Sequence, residues 1–406
     1  MTVNDAHNAK PLTGLRVLEL GAYISGPYCG ALLAALGADV VKLEPVRSGD
    51  PFRRGSGNRD AYFLQYNAGK RSISLNLKSP EGVALVKALL PRFDVLLENS
   101  RPGKVEALGL GADACREINP GLVYASISGF GPGGPLRDRP AYDSIGQSIA
   151  GNYSLMNDPD KIQLTGGAIA DLITGITATC GVLAGLVGRN QATDGRGTIV
   201  QTSLMEAMSS ITIDAVSNYF ERGVSPTRQS RHGQAQAYCV TASDGKAITL
   251  HLSVSEKFWA NVARTIGRED LVSDPRFATY RQRLANYTEL ETILKAEFLK
   301  RGSAQWQDAL LAADVPFAPV NTIEDVVFHP QTEWLGQLEP ERDGLALVRP
   351  AFTFDGTRPS RAFDAPLVGE HSCEIAGEVL SRDQIQRLIE AGVLYDASEN
   401  ATNAPP

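Results

Sequence analysis

The sequence predicts an α/β protein with a large domain built on a doubly wound parallel sheet and a smaller α+β domain, after which the chain returns to the large one. Three observations carry this. Apolar strand-like runs alternate with helical segments over roughly the first 130 residues, the order that builds a parallel sheet. Near Tyr238 the pattern changes to a hairpin followed by amphipathic helices. A chain of 406 residues with 43% hydrophobic content can also fill two cores. The expected division is 1–228 for the large domain, 229–325 for the small one and 326–406 for the return and tail.

After a polar leader, GLRVLELG (Gly14 to Gly21) reads as a buried strand. SGPYCGALLAALGA follows as a helix, with Pro27 in its first turn and Gly37 at its stop. Asp39 to Glu44, Arg71 to Leu77, Asp94 to Asn99 and Leu122 to Phe130 are further strands, with a helix from Ser79 and Pro80 to about Pro91. Tyr142 to Gly151 reads as a short helix ahead of a loop, NYSLMNDPDK. After a long apolar helix, GRGTIVQTSLMEAMSS gives a Gly turn, a strand and a helix. RQSRHGQAQAY, with His232, reads as a polar link between domains or an active-site loop. Two strands then flank Asp244-Gly245, followed by helices in SEKFWANVARTIG, YTELETILKAEFLKR and SAQWQDALLAADV. PLVGEHS and the helix SRDQIQRLIEAGVL belong to the return, and ATNAPP reads as a frayed tail.

The long apolar segment, Leu172 to Arg189, carries no charge before Arg189 and is long enough for about 27 Å of helix. Apolar all round, it suits a buried core helix, and its interspersed Thr and Gly make it a poor membrane span. Asp171 stands at its mouth. One reading makes Asp171 the N-cap of the helix. The other makes it a nucleophile kept ionised by helix amides, with neighbouring amides for a developing oxyanion.

Ligands of doubly wound sheets sit at the carboxyl ends of the strands. The segments there carry Arg47, Arg53, Lys78, Arg101, Lys104, Arg137 and Arg139, a basic set suited to phosphate in a chain of net charge -7. That overall charge argues against a general nucleic-acid binder. Gly129, Gly131 and Gly134 match a dinucleotide fingerprint, but Pro132, Pro135 and Pro140 forbid the helix that must follow it. Five scattered cysteines without a CxxC pair, and a start without an apolar h-region, fit a cytoplasmic protein. His7, His232, His251, His329 and His371 lack metal spacing, so no metal is expected.

LTGLRVLELGAYISGPYCG, LGADVVKLEP, NAGKRSISLNLKSPEG, ENSRPGKVEALGL, INPGLVYASISGFGPGGP, RPAYDSIGQ, IADLITG, GRGTIVQTSL and PLVGEHS occur in this order over nearly the whole chain. In them the chain resembles the family III CoA-transferases (CaiB/BaiF), the group of formyl-CoA:oxalate and carnitine CoA-transferases, a relative of which is α-methylacyl-CoA racemase. The resemblance implies a Rossmann-like large domain made from both chain ends and an interlocked homodimer. It implies acyl-CoA and a carboxylic acid as substrates, with CoA a substrate and no permanently bound cofactor. Asp171 of IADLITG matches the family's nucleophile, which passes through an aspartyl-CoA thioester. Ser25, Leu75, Lys78, Asn99, Ser100, Arg101 and Arg139 to Tyr142 match its CoA-contacting positions. Ala107 and Pro45 stand where members carry Arg, with Arg47 able to replace the latter. The run of consecutive glycines of formyl-CoA transferases is absent, and RHGQAQAY stands roughly there.

Racemisation needs an acid/base pair on opposite faces of the α-carbon. The racemase His falls on Tyr142, a poor substitute at a pKa near 10. The expected activity is therefore CoA transfer, from a donor such as succinyl-CoA to a small dicarboxylate. The racemase and a non-catalytic CoA-binding protein stand as alternatives.

Overall fold

The computed structural model describes residues 10–55 and 58–397. His7 and the ATNAPP tail lie outside them. Ten strands occur among the described residues: β1 (Arg16–Leu20), β2 (Asp39–Glu44), β3 (Arg71–Leu75), β4 (Val95–Glu98), β5 (Val123–Ser128), β6 (Ile199–Ser203), β7 (Ala237–Thr241), β8 (Ala247–His251), β9 (Phe317–Pro319) and β10 (Leu394–Tyr395). The chain divides into two compact units, one of Met1–Asn152, Gly166–Ile211 and Gln331–Pro406, the other of Tyr153–Thr165 and Thr212–Pro330.

The first unit holds a seven-stranded sheet in the order β10-β3-β2-β1-β4-β5-β6. All neighbours are parallel except β10, which runs antiparallel to β3. Successive residues of each strand alternate between the two faces. Leu18, Val41 and Leu96 join one core with Leu85, Val86 and Leu89. Val17, Val40, Val95 and Leu97 join the other with Cys29, Leu33, Ala178 and Val182. Both faces are therefore covered, which is why the strands read as near-continuous apolar runs. The strand order reverses between β1 and β4, leaving a crevice at the carboxyl ends of these strands.

Helix α1 (Ser25–Ala35) follows β1, and helix α2 (Asp143–Ile149) precedes helix α3 (Ile169–Gln191). The small residues of α3 have a packing cause. A Cβ on Gly175 would lie 2.9 Å from Ser25 O and from Tyr28 Cδ1, and one on Gly181 would lie 2.5 Å from Val200 Cγ1. α1 and β6 can approach this closely only because those positions are glycine. By length and composition α3 could cross a membrane. Ala178, Val182 and Leu186 nevertheless pack in a sheet core. The expectation of burial all round is not met in the single chain, since Ile176 is 41% and Val187 55% exposed.

In the second unit β7, β8 and β9 form an antiparallel sheet. β7 and β8 flank the turn at Gly245, whose φ is 78°. Trp259, Leu290, Leu294, Phe298 and Trp306 pack its core. Residues 212–228, expected in the large domain, belong to this unit, where Arg228 pairs with Asp158 at 3.0 Å. RHGQAQAY is not an open link: Ser230–Ala235 is a helix closed by left-handed Gln236, whose side-chain Nε2 donates to Gly233 O at 2.8 Å.

Candidate active site

The crevice at the strand-order reversal is a cavity of about 300 Å³. Leu20 at the end of β1, Asn99 to Pro102 and Lys104 after β4, and Ile127 to Gly129 at the end of β5 form three of its walls. Ala22, Tyr23 and Ser25 from the β1–α1 turn, Arg139 to Tyr142, Leu204 and Asp171 complete it. Of the residues expected at the site, Ser25, Asn99, Ser100, Arg101, Arg139, Tyr142 and Asp171 thus line one cavity. Three others lie elsewhere. Leu75 is 1% exposed in the sheet core, Lys78 is exposed in a separate depression, and Arg47 is exposed beside the Tyr395 ring.

Asp171 is not the N-cap of α3. The helix starts at Ile169 with Ala168 as N-cap, so Asp171 is the third residue of its first turn. Its own amide is satisfied from outside, donating to Asp143 Oδ1 at 3.1 Å. Asp143 is held in turn by Gln147, whose amide donates to Asp143 Oδ2 at 2.6 Å and to Gly167 O at 2.9 Å. The carboxylate of Asp171 is therefore not kept in the ordinary acid range. Burial first, then the Asp143 charge, push its pKa up to about 7, and a hydrogen bond from Ser25 opposes them. A desolvated carboxylate of this kind is a stronger base and nucleophile when ionised.

Ser25 is itself positioned by Asn99, whose Nδ2 donates to Ser25 Oγ at 3.2 Å and to Ala22 O at 2.8 Å. Asn99 Oδ1 accepts from the Ala22 amide at 2.9 Å. The turn after β4 is thereby strapped to the turn after β1, and the Ser100 amide is fixed by Glu98 Oε2 at 2.7 Å. Tyr142 is 60% exposed, and its ring meets Tyr23 edge to face at 5.6 Å.

The basic set from the strand ends separates by partner. Arg53 is buried against Glu44 at 2.7 Å and serves the fold. Arg137 pairs with Asp138 at 2.8 Å. Among the described residues Arg101, Lys104 and Arg139 form no ion pair, and all three line the cavity, which suits a polyanionic ligand. No group of described residues has the composition of a metal site.

Two features escaped the sequence. Asp143 is one. The other is a buried charge cluster behind the β1–α1 turn, in which Lys42 Nζ reaches Glu19 at 3.0 Å, Asp50 at 2.9 Å and Gly21 O at 2.6 Å. Lys70 joins it at 2.7 Å from Glu19. Asp50 also accepts from the Tyr23 amide at 3.2 Å, where the backbone has a positive φ of 65°. A left-handed non-glycine residue is thus held at the cavity wall by a buried carboxylate.

This crevice, with a carboxylate and unpaired cations at the carboxyl ends of a doubly wound sheet, has the chemistry to suit a phosphorylated, cofactor-sized ligand. The family model described as CoA-transferase family III matches residues 12–372. The succinyl-CoA:glutarate CoA-transferase of Mus musculus is 30% identical, over 96% of this chain and 92% of that protein. The succinate--glutarate CoA-transferase of Agrobacterium fabrum is 32% identical, over 93% and 98%. The crystal structure of a CAIB/BAIF family protein from Brucella suis superposes with a TM-score of 0.79 at 31% identity, covering 91% of this chain and 99% of that one. The chain belongs to the family III CoA-transferases.

Proposed function

We propose that this enzyme moves CoA from an acyl-CoA, succinyl-CoA foremost, to a small dicarboxylic acid, with Asp171 as the nucleophile. The observation that carries this is one cavity lined by Asp171, Ser25 and three unpaired cations, with Asp143 behind it on the Asp171 amide. The names of the two glutarate-using relatives support the substrate class. Arg101, Lys104 and Arg139 bind the CoA phosphates, and the thioester carbonyl lies against Asp171.

The Asp171 carboxylate attacks that carbonyl, forming a C–O bond and expelling the CoA thiolate. The thiolate then attacks the Asp171 carbonyl of the resulting anhydride, giving an aspartyl-CoA thioester and releasing the donor acid as its carboxylate. An acceptor carboxylate repeats both steps in reverse, so Asp171 is regenerated and the acceptor leaves as its CoA thioester. CoA enters and leaves as substrate, with no resident cofactor. Racemisation lacks its second acid/base, since Tyr142 occupies the relevant wall.

The working form is a cytoplasmic homodimer. Exposed apolar residues support a second copy: Ile176 and Val187 on α3, and Ile213 and Phe220 on a helix of the second unit, at 62% and 82% exposure. The test is trapping: after incubation with succinyl-CoA, hydroxylamine or borohydride leaves a modification at Asp171, read by mass spectrometry. α-Proton exchange in deuterated water without an adduct at Asp171 refutes the mechanism.

A further inference from the structure

Tyr28 and Tyr66, outside the lining of the cavity, form an aromatic ledge that leads from Gly175 of α3 to a cation. α1 and α3 lie side by side, with Ser25 bonded to the Asp171 carboxylate and Tyr28 packed on Gly175. Gly175 is four residues on from Asp171, about 6 Å along the same face of the helix. The Tyr28 ring meets Tyr66 edge to face at 5.8 Å. Directly beside Tyr66, Gln65 O accepts from Arg361 Nη2 at 2.7 Å. Tyr28, Tyr66 and Arg361 are each mostly covered but keep some exposed surface.

Arg361 has an unusual position for an arginine. Among the described residues it forms no ion pair, and its Nε is buried without a hydrogen-bond partner. The acid whose charge acts on it, Glu339, is taken by Arg349 at 3.5 Å. A mostly buried guanidinium without a contacting carboxylate is costly unless an anion arrives to pair with it. Its pKa is lowered accordingly, by burial, against the opposing effects of Glu339 and Tyr28. The two phenols register charges at either end of the ledge. Tyr66 is raised by burial first and then by Tyr28 and Asp171, whereas Tyr28 is raised by burial and lowered by Arg361.

We infer that Arg361, reached across Tyr28 and Tyr66 from Asp171, is the subsite for the second, non-reacting carboxylate of a dicarboxylic substrate. This rests on the proposed transferase reading and adds the residue that sets the substrate class. A four- or five-carbon diacid extends from an acyl group on Asp171 toward the ledge, and its far carboxylate pairs with the charge of the Arg361 guanidinium through Nη1, the nitrogen that Gln65 leaves free. A monocarboxylic acid of equal length leaves the guanidinium unpaired. The same subsite receives the free carboxylate of succinyl-CoA, because donor and acceptor acids occupy one position in turn.

The test compares glutarate with pentanoate as acceptors and succinyl-CoA with butyryl-CoA as donors, in the wild type, Arg361→Gln and Arg361→Lys. In Arg361→Gln, kcat/KM for glutarate and for succinyl-CoA falls about 10–100-fold, as expected for losing a hydrogen bond to a charged group. Pentanoate and butyryl-CoA change little, the Kd of free CoA is unchanged, and Arg361→Lys regains part of the glutarate rate. Melting curves show whether each variant is folded, and Arg361→Lys, which keeps the charge, is read on the same ratio if Arg361→Gln is not. A folded variant whose glutarate-to-pentanoate ratio equals that of the wild type overturns the inference while leaving the transferase intact. A wild type that transfers CoA to no acid overturns the transferase reading itself.

Discussion

The Asp171 amide donates to the Asp143 carboxylate at 3.1 Å, so two acids share the start of one helix and only one can be at ease there as an anion. Asp143 has the free first-turn amide. Asp171 has burial and a like charge, and its pKa stands at about 7. Attack requires the ionised form, so the transfer rate should rise with pH through about 7. Asp143→Asn keeps an acceptor for the amide and removes the charge. The acidic limb of its kcat/KM profile should move to lower pH, measured against the wild type across about pH 5 to 9. An unmoved limb would show that the Asp143 charge does not govern Asp171.

The same shift reaches stability. Asp171 has a folded pKa of about 7, above its ordinary 3.8. Between those values the folded state keeps a proton that the unfolded state has lost, so stability declines as pH rises across that window and stays lower above it. Asp171→Asn removes the decline. The variant should lose transfer yet melt a few degrees above the wild type at pH 8, with the difference vanishing near pH 4. Equal melting temperatures at pH 8 would count against a strained carboxylate.

Lys42 is fully buried and satisfies Glu19, Asp50 and the Gly21 carbonyl together. Replacing it by Met leaves two buried carboxylates without that partner, at a cost of about 3–5 kcal/mol. Urea denaturation should show this as a lower midpoint with an unchanged m-value. Lys42→Arg would relieve only the charge loss, since a fork does not fit a site shaped for an ammonium.

Gly175→Ala drives a methyl into Ser25 O and the Tyr28 ring, both at 2.9 Å. α1 must retreat, and Ser25 with it. The expected result is a kcat lowered tenfold or more through loss of Ser25 from the nucleophile, by the rate sensitivity of misplaced groups. The Kd for CoA should change far less, because the cations are on other loops. Isothermal titration beside steady-state rates separates the two.

Arg101→Ala should raise the Kd for CoA about tenfold and flatten its salt dependence, as expected for a cation on a phosphate. Arg47→Ala, away from the cavity beside Tyr395, should leave both nearly unchanged. Equal losses in the two variants would show that the ligand extends well beyond the cavity.

The parallel sheet was legible because β1 to β5 are runs of Val, Ile and Leu that a two-sided core requires, with turn residues between them. Asp171 was legible as a lone charge on an apolar helix, but its place in the first turn was not. Ile169 and Ala170 turn helical one residue after Gly166 and Gly167, with Ala168 between as N-cap, and local preference has no way to fix such a boundary. Arg53 and Arg101 look alike in sequence, each in a strand-end loop. Only the partner separates them, and the turn that folds Arg53 back onto Glu44, nine residues earlier at the end of β2, is not marked in the sequence. Lys42 in DVVKLE has the appearance of a solvent-facing residue, since nothing local announces that Glu19, Asp50 and Lys70 converge on the same buried space. Asp143 shares that difficulty, being 28 residues from the amide it accepts.

The last strand, β10, hydrogen-bonds to β3 across more than 300 residues of intervening chain, and it completes the edge of the main sheet. During synthesis the second unit is fully available once residue 330 has emerged, whereas the sheet on which α3 packs stays open beside β3 until residue 395 has followed. An unpaired strand edge is an invitation to wrong partners. The ribosome therefore releases this enzyme with its inserted part complete first and its main sheet closed last, so a chain cut short before Leu394 keeps Asp171 but leaves the β3 edge exposed to aggregation.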